Sequence, residues 1–207
     1  MKKNKTYTYL SKRLNHHCSS PDIQQIIVDG EHILDQLQKE NKDEPKAVKV
    51  HTFEKIYPVI ACYQAMLKHG ISKEKSVAFL DRALSDQAIP QAKMIQIGMK
   101  IPFLYKTMPA MFHWMTVHNF GEDAGFHANF YDTDSTMCKF DMTECLYYKT
   151  CKRYHCEDIA PCFCHVDDVT NGNMHPYLHW HRIGTIAEGY PVCDFQIKVD
   201  KQKRNKA

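Results

Sequence analysis

Hydrophobic positions recur with a helical period along the N-terminal half of the chain. Apolar residues on one helix face follow the turn at Pro21 and end in a polar, charged stretch, which predicts a first helix. A second helical run ends at Gly70, a residue type that suits the left-handed position after a helix. Ser72 is placed to cap a third helix. We expect Pro102 and Pro109 to break the next apolar segment into two short helices.

After Gly125 the hydrophobic period changes to two. Four segments alternate or are rich in β-branched and aromatic residues, which predicts strands at 126–131, 137–148, 178–188 and 192–199. A short turn at Gly189 joins the last two, as in a hairpin. Between the second and third strands, the cysteine-rich segment 156–168 predicts a short helical crossover.

Helices followed by strands predict an α+β fold, with a helical N-terminal half packed on a C-terminal antiparallel sheet of about four strands. We expect a single domain over residues 1–207, with a helical layer at 20–118 and the sheet at 125–200. The order of the strands is left open.

Charge and composition exclude several classes of partner. The chain has 27 Lys and Arg against 24 Asp and Glu, and the excess lies in the lysine-rich ends rather than on a basic and aromatic stripe. We therefore expect no nucleic-acid partner. No apolar run is long enough to span a bilayer, and the first ten residues lack the apolar core of an export signal, so we expect a cytoplasmic protein without membrane contact. Its nine cysteines are then reduced.

The cysteines are the main candidates for chemistry. Strand alternation places Cys193 on the same face as Phe195 and Ile197, which is the core side. Burial as a small hydrophobe is the ordinary role of such a thiol. However, Cys145, Cys164 and Cys193 come from three elements that a small sheet can bring together, and convergent cysteines bind a metal or supply a nucleophile.

Histidines offer a second possibility for zinc. His179 and His181 are two residues apart, so a strand places both imidazoles on one face. Cys162 and Cys164 form a similar pair. Surface or packing roles are the alternative, because thirteen histidines in one chain produce such pairs easily.

Acidic and basic groups near these cysteines complete the candidates. Asp167, Asp168, Asp194 and Glu144 are possible acid or base groups, although solvated carboxylates are the alternative for the first two. Arg182 is suited to clamp a substrate carboxylate with its planar guanidinium, or to form a salt bridge at the sheet edge.

Three segments resemble a known family. E-C-L-Y-Y, C-F-C-H-V-D-D and H-R-I-G-T-I-A-E-G-Y-P-V-C-D-F, over about residues 140–199, are similar to the signature of the L-2-amino-thiazoline-4-carboxylic acid hydrolase family. The matching positions are Cys145, Cys164, Asp167, Arg182, Thr185, Gly189, Cys193, Asp194 and Phe195.

The resemblance implies a small-molecule substrate and a hydrolase acting on carbon–nitrogen bonds other than peptide bonds. It implies opening of a cyclic amidine-like bond in a cysteine-derived acid such as L-2-aminothiazoline-4-carboxylate. The catalytic candidates are Cys193, Cys145, Cys164 and Asp194, and the substrate-binding candidates are Arg182, Thr185 and Asp167.

Two routes and one alternative function stay open. Either Cys193 attacks the ring carbon with no cofactor, or zinc held by Cys145, Cys164 and Cys193 activates water. Direct attack requires a depressed thiol pKa, which a neighbour such as Arg182 is expected to supply. The alternative is a small-molecule or metal-binding sensor module without catalysis, and a homo-oligomer is open in either case.

Overall fold

The computed structural model describes residues 5–15, 17–131 and 133–200. The chain divides into two compact units. The helical unit comprises residues up to Ala88 together with Leu146–Val166, and the sheet unit comprises Ile89–Cys145 with the residues from Asp167 onward. The single domain stays a prediction. The solvated basic ends predicted at 1–4 and 201–207 lie outside the described residues.

The elements confirm a helical N-terminal half and a C-terminal antiparallel sheet. The α-helices are α1 (Lys5–Leu14), α2 (Ser20–Glu40), α3 (Lys46–His51), α4 (Tyr57–Lys68), α5 (Lys73–Gly98), α6 (Met108–Asn119), α7 (Leu146–Arg153) and α8 (Ala160–Asn171). The strands are β1 (His127–Phe130), β2 (Met137–Glu144), β3 (Leu178–His181) and β4 (Cys193–Val199). None of the helices in the described part of the chain is long and apolar enough to cross a membrane.

The helical unit is held by α2 packed along α4. The Ser19 side chain caps α2 by accepting the Asp22 N–H at 3.4 Å, and Ile26 is buried on the inner face of that helix. Gly70 has φ +76° after the end of α4, as predicted. Lys75 donates its backbone N–H to Ser72 Oγ at 3.4 Å, which confirms the cap of α5.

A π-helical turn at Thr52–Ile56 joins α3 to α4, and a carboxylate lies against it. Glu44 accepts hydrogen bonds from Thr52 Oγ1 and Tyr57 Oη, both at 2.7 Å, and from Arg153 Nη2 at 3.1 Å. The Glu44 side chain is only 15% exposed. We call Glu44, Thr52, Tyr57 and Arg153 the Glu44 cluster.

The helix breaks differ from the prediction. The apolar segment that was expected to form two short helices instead begins as the last turns of α5, which continue past Pro90 to Gly98. Pro102 lies in the following loop, and Pro109 lies in the first turn of α6. A proline is tolerated in a first turn because its missing N–H has no intrahelical partner there. The sequence analysis also missed α1.

The sheet has four strands in the order β1-β2-β4-β3, and every pair is antiparallel. Alternation along β4 buries Cys193 and Ile197 while leaving Lys198 exposed, as predicted. Helix α6 covers this face, where the Phe112 ring lies 5.9 Å from Phe140. Aromatic rings in contact therefore line this face of the sheet, where Phe140 also stacks on Phe195.

Two predicted strands are too long. β2 ends at Glu144, and the next residues after Cys145 form α7. β3 ends at His181, so the expected tight hairpin is a longer loop, residues 182–192, with a 3-10 turn at Ile186–Glu188. The loop leaves the sheet because its backbone N–H groups bind side chains of β4 rather than another strand.

Candidate functional site

A carboxylate on β4 fixes the start of the 182–192 loop. Asp194 Oδ1 accepts the backbone N–H groups of Ile183 and Gly184, each at 2.9 Å, and Oδ2 lies 3.1 Å from the Ile183 nitrogen. Hydrogen bonds from N–H groups to a charged carboxylate are among the strong ones in proteins. The loop is therefore tied to the first residues of β4.

The conformation of the rest of the loop depends on two glycines and on a buried threonine. A Cβ atom at Gly184 would lie 2.4 Å from the ring of Tyr190, so only glycine allows this contact. Gly189 has φ +93°, in the left-handed region that glycine favours. Thr185 is fully buried, and its Oγ1 accepts the Glu188 N–H at 3.2 Å and donates to Glu188 Oε2 at 2.8 Å.

This loop brings a backbone donor to the Cys193 thiol. The Ile186 N–H donates to Cys193 Sγ at 3.2 Å, and Cys193 is only 4% exposed. Burial raises the pKa of this thiol to about 11, and the Ile186 N–H opposes that effect. The neighbouring Cys145 and Asp167 raise the pKa further, whereas Arg182 lowers it. The thiol is therefore protonated at neutral pH.

Arg182 is the cationic centre of the site. Its side chain is 7% exposed, and Nη2 donates to Asp168 Oδ2 at 2.7 Å. Nη1 lies 3.8 Å from Asp167 Oδ2, and the guanidinium carbon lies 5.5 Å from the centre of the Phe195 ring. Trp180 Nε1 donates to the other Asp168 oxygen at 2.9 Å. Both carboxylate side chains are about half exposed, at 48% for Asp167 and 47% for Asp168.

Most of the predicted site residues fall in one unit. Of the seven catalytic and substrate-binding candidates, six belong to the sheet unit: Cys145, Asp167, Arg182, Thr185, Cys193 and Asp194. Cys164 belongs to the helical unit, where its Sγ donates to the Ala160 carbonyl at 3.8 Å within α8. Glu144 is exposed at the end of β2. The catalytic and binding roles of these residues stay predictions.

The zinc candidates occupy ordinary environments. His179 and His181 are both exposed on β3, and His179 Nε2 lies 2.8 Å from Asp200 Oδ2. Cys162 is buried, which raises the pKa of its thiol to about 12. Within residues 5–15, 17–131 and 133–200, no group of three or more His, Cys, Asp and Glu side chains is arranged to hold a metal ion. The proposed zinc ligands stay predictions.

The sequence analysis missed parts of the site that carry no side-chain signature. The Ile186 N–H is a backbone donor, so nothing in its residue type points to the thiol. Asp168 was considered as an acid or base group, but in the structure it holds Arg182 and Trp180. The available signal for this contact was two adjacent aspartates at the end of the predicted crossover, followed by an arginine in the predicted third strand.

Comparisons with known proteins agree with the pattern of the sheet unit. A sequence model described as L-2-amino-thiazoline-4-carboxylic acid hydrolase matches residues 49–197, which is more than half of the chain. No curated protein and no solved structure matches the chain. The match includes Cys193 and the whole 182–192 loop, and it shows that the chain belongs to the L-2-amino-thiazoline-4-carboxylic acid hydrolase family.

Proposed function

We propose that the protein is a hydrolase that opens the cyclic amidine-like group of a small cysteine-derived acid such as L-2-aminothiazoline-4-carboxylate. The observation that carries the proposal is the Cys193 thiol, which receives a backbone N–H and lies within the electrostatic reach of Arg182. Family membership supports the substrate class. The product is a carbamoyl-cysteine.

The proposed reaction uses Cys193 as the nucleophile. Its sulfur forms a bond to the ring carbon between sulfur and nitrogen, the C=N electron pair moves to the ring nitrogen, and that nitrogen takes the thiol proton. The tetrahedral carbon then expels the ring sulfur, which leaves as a thiol after taking a proton from the carbon's amino substituents. Water adds to the resulting isothiourea, and Cys193 leaves with a proton to give the carbamoyl product.

Because the Cys193 thiol is protonated, its proton must be removed during attack on the substrate. Direct attack by a preformed thiolate needs a depressed pKa, but burial raises the pKa of Cys193 to about 11. In the proposal, the basic amidine nitrogen of the substrate accepts the proton as the sulfur attacks. The reaction therefore needs no separate base, and the Ile186 N–H stabilises the charge that develops on sulfur.

Two carboxylates give the site acceptors for hydrogen bonds from the substrate. Arg182 lies against both Asp167 and Asp168, so the three groups together carry a net negative charge. We propose that Asp167 accepts a hydrogen bond from the amino group of the neutral amidine, which leaves the ring nitrogen available for the thiol proton, because Asp167 is half exposed and lies farther from the guanidinium than Asp168. Thr185 shapes the loop in this account, since its hydroxyl already donates to Glu188.

Incubation of the purified chain with L-2-aminothiazoline-4-carboxylate tests the proposal. Mass spectrometry follows loss of substrate and formation of carbamoyl-cysteine, and a metal-stripped sample runs alongside. We expect product formation at the same rate in both samples. Loss of activity on stripping, with recovery on adding zinc, would instead favour water activation by zinc at Cys145, Cys164 and Cys193. No product from concentrated protein would contradict the hydrolase proposal.

A binding module without catalysis is the second candidate. The raised pKa of Cys193 favours it, because a protonated thiol is a poor nucleophile but can still line a ligand-binding site. This function predicts saturable binding of the thiazoline by calorimetry with no product at any time. Turnover of the same compound would exclude a purely binding role.

A further inference from the structure

Cys193 and Asp194 are adjacent on β4, and both side chains bind the same short loop. The carboxylate holds the N–H groups of Ile183 and Gly184, while the thiol receives the N–H of Ile186. Three backbone donors within four residues of one loop are thus divided between two neighbouring side chains. The contact to the thiol depends on where the carboxylate holds the backbone two residues earlier.

We infer that Asp194 is a positioning residue for Cys193, whose carboxylate fixes the loop that covers the thiol and supplies its backbone donor. This inference rests on the proposed function for the role of Cys193 in turnover. It assigns Asp194 no proton transfer, because both of its oxygens already face backbone N–H groups. The tie also keeps the thiol buried, since Ile186 of the loop lies against it.

The rate at which iodoacetamide alkylates Cys193 measures how often the loop opens. Wild-type protein and the Asp194→Ala and Asp194→Asn variants are treated with iodoacetamide at one fixed pH, and the labelling rates of Cys193 and Cys138 are read by peptide mass spectrometry. Cys138 is fully buried on β2 of the same sheet, so it reports general loosening. Asn retains one oxygen that can accept both N–H groups, whereas Ala retains none.

We expect Asp194→Ala to raise the labelling rate of Cys193 by about 10-fold, because one charge-assisted hydrogen bond shifts an opening equilibrium by roughly that factor. Asp194→Asn should give a smaller rise, and Cys138 should be unaffected. In turnover, kcat should fall while KM changes by less than about 2-fold, since the residue touches the loop and not the substrate.

Asp134→Ala is the matched control. Asp134 Oδ1 holds the N–H groups of Thr136 and Met137, at 2.6 and 2.9 Å, in the loop between β1 and β2. Removing this similar tie should leave Cys193 labelling unchanged.

Two results would overturn the inference: labelling of Cys193 at the wild-type rate in Asp194→Ala, or an equal rise at Cys138. If the wild-type protein shows no turnover, the proposed function fails, and the labelling rates alone still decide the role of Asp194.

Discussion

Two arginine–carboxylate clusters in this chain differ in how fully their carboxylates are enclosed. In the helical unit, Glu44 is 15% exposed and accepts three hydrogen bonds. In the sheet unit the arrangement is reversed. There the cation Arg182 is buried at 7% exposure, while Asp167 and Asp168 are about half exposed.

We propose that the difference separates a cluster that stabilises the fold from one that meets a substrate. An enclosed carboxylate with several donors stabilises a fold, and at Glu44 it holds the π-helical turn to α7. Half-exposed carboxylates beside a buried cation and a buried thiol can instead meet a polar ligand at their open side. We therefore expect changes at Cys193 to affect turnover and changes at Glu44 to affect stability.

Replacing Cys193 is expected to have the largest effect. Cys193→Ala should lower kcat/KM for L-2-aminothiazoline-4-carboxylate by on the order of 10³-fold or more, because the proposed nucleophile is removed. Steady-state kinetics with product detection by mass spectrometry measure it. Cys138→Ala, which removes a buried thiol from the same sheet, should retain activity in the folded protein. Equal activity in the Cys193 and Cys138 variants would show that Cys193 is not the nucleophile.

Removing the Glu44 carboxylate tests whether the Glu44 cluster stabilises the fold. Glu44→Ala should lower the free energy of unfolding by about 3 kcal/mol, since three donors, one of them cationic, lose their acceptor. Urea unfolding measures the loss. Asp35→Ala, which removes an exposed carboxylate that pairs with Lys39 on α2, should cost less than about 0.5 kcal/mol. A Glu44 variant as stable as the Asp35 variant would show that the enclosure has no stabilising role.

The fit of the 182–192 loop gives a smaller effect. Gly184→Ala should destabilise the protein by about 2 kcal/mol, because the new methyl group would overlap the Tyr190 ring. Gly98→Ala is the matched control, since a Cβ there meets nothing within 4 Å, and its stability should be unchanged or slightly raised. Thermal unfolding compares the two. A Gly184 variant with wild-type stability would mean that Tyr190 moves aside at no cost.

The rate at which iodoacetamide labels Cys193 should change gradually with pH. The pKa of Cys193 is raised from an ordinary 9.0 to about 11, so the folded protein favours the protonated thiol. The contribution of the Cys193 thiol to the free energy of unfolding is therefore complete below pH 9 and is lost as the pH rises towards 11. The iodoacetamide rate at Cys193 should rise about 10-fold per pH unit from about pH 7 to 10 without levelling. A plateau below pH 9 would indicate a preformed thiolate.

Periodicity predicted the fold class because burial repeats regularly along helices and strands. It placed α2, the end of α4 and the buried face of β4 correctly. It failed where tertiary contacts outweigh local pattern. The alternation around Trp180 continues past His181, yet the chain leaves the sheet there because Asp194 binds the loop backbone.

The candidate site was predicted only as a set of residue types. Motif resemblance pointed to Cys193, Arg182 and Asp167, and the structure places these groups in one unit with electrostatic contact. The raised pKa of Cys193 had no sequence signal, because desolvation depends on what the folded chain packs around the sulfur. The donor role of the Ile186 N–H depends equally on loop geometry.

The mass of the protein during turnover tests most directly whether Cys193 forms a covalent bond to the substrate. A reaction with L-2-aminothiazoline-4-carboxylate is quenched in acid within the first turnovers, and the intact protein and its peptides are weighed. We expect an adduct with the mass of the ring-opened substrate on the peptide that contains Cys193, and no adduct on the Cys193→Ala protein. Product formation by Cys193→Ala at the wild-type rate, with no adduct on the wild-type protein, would contradict it.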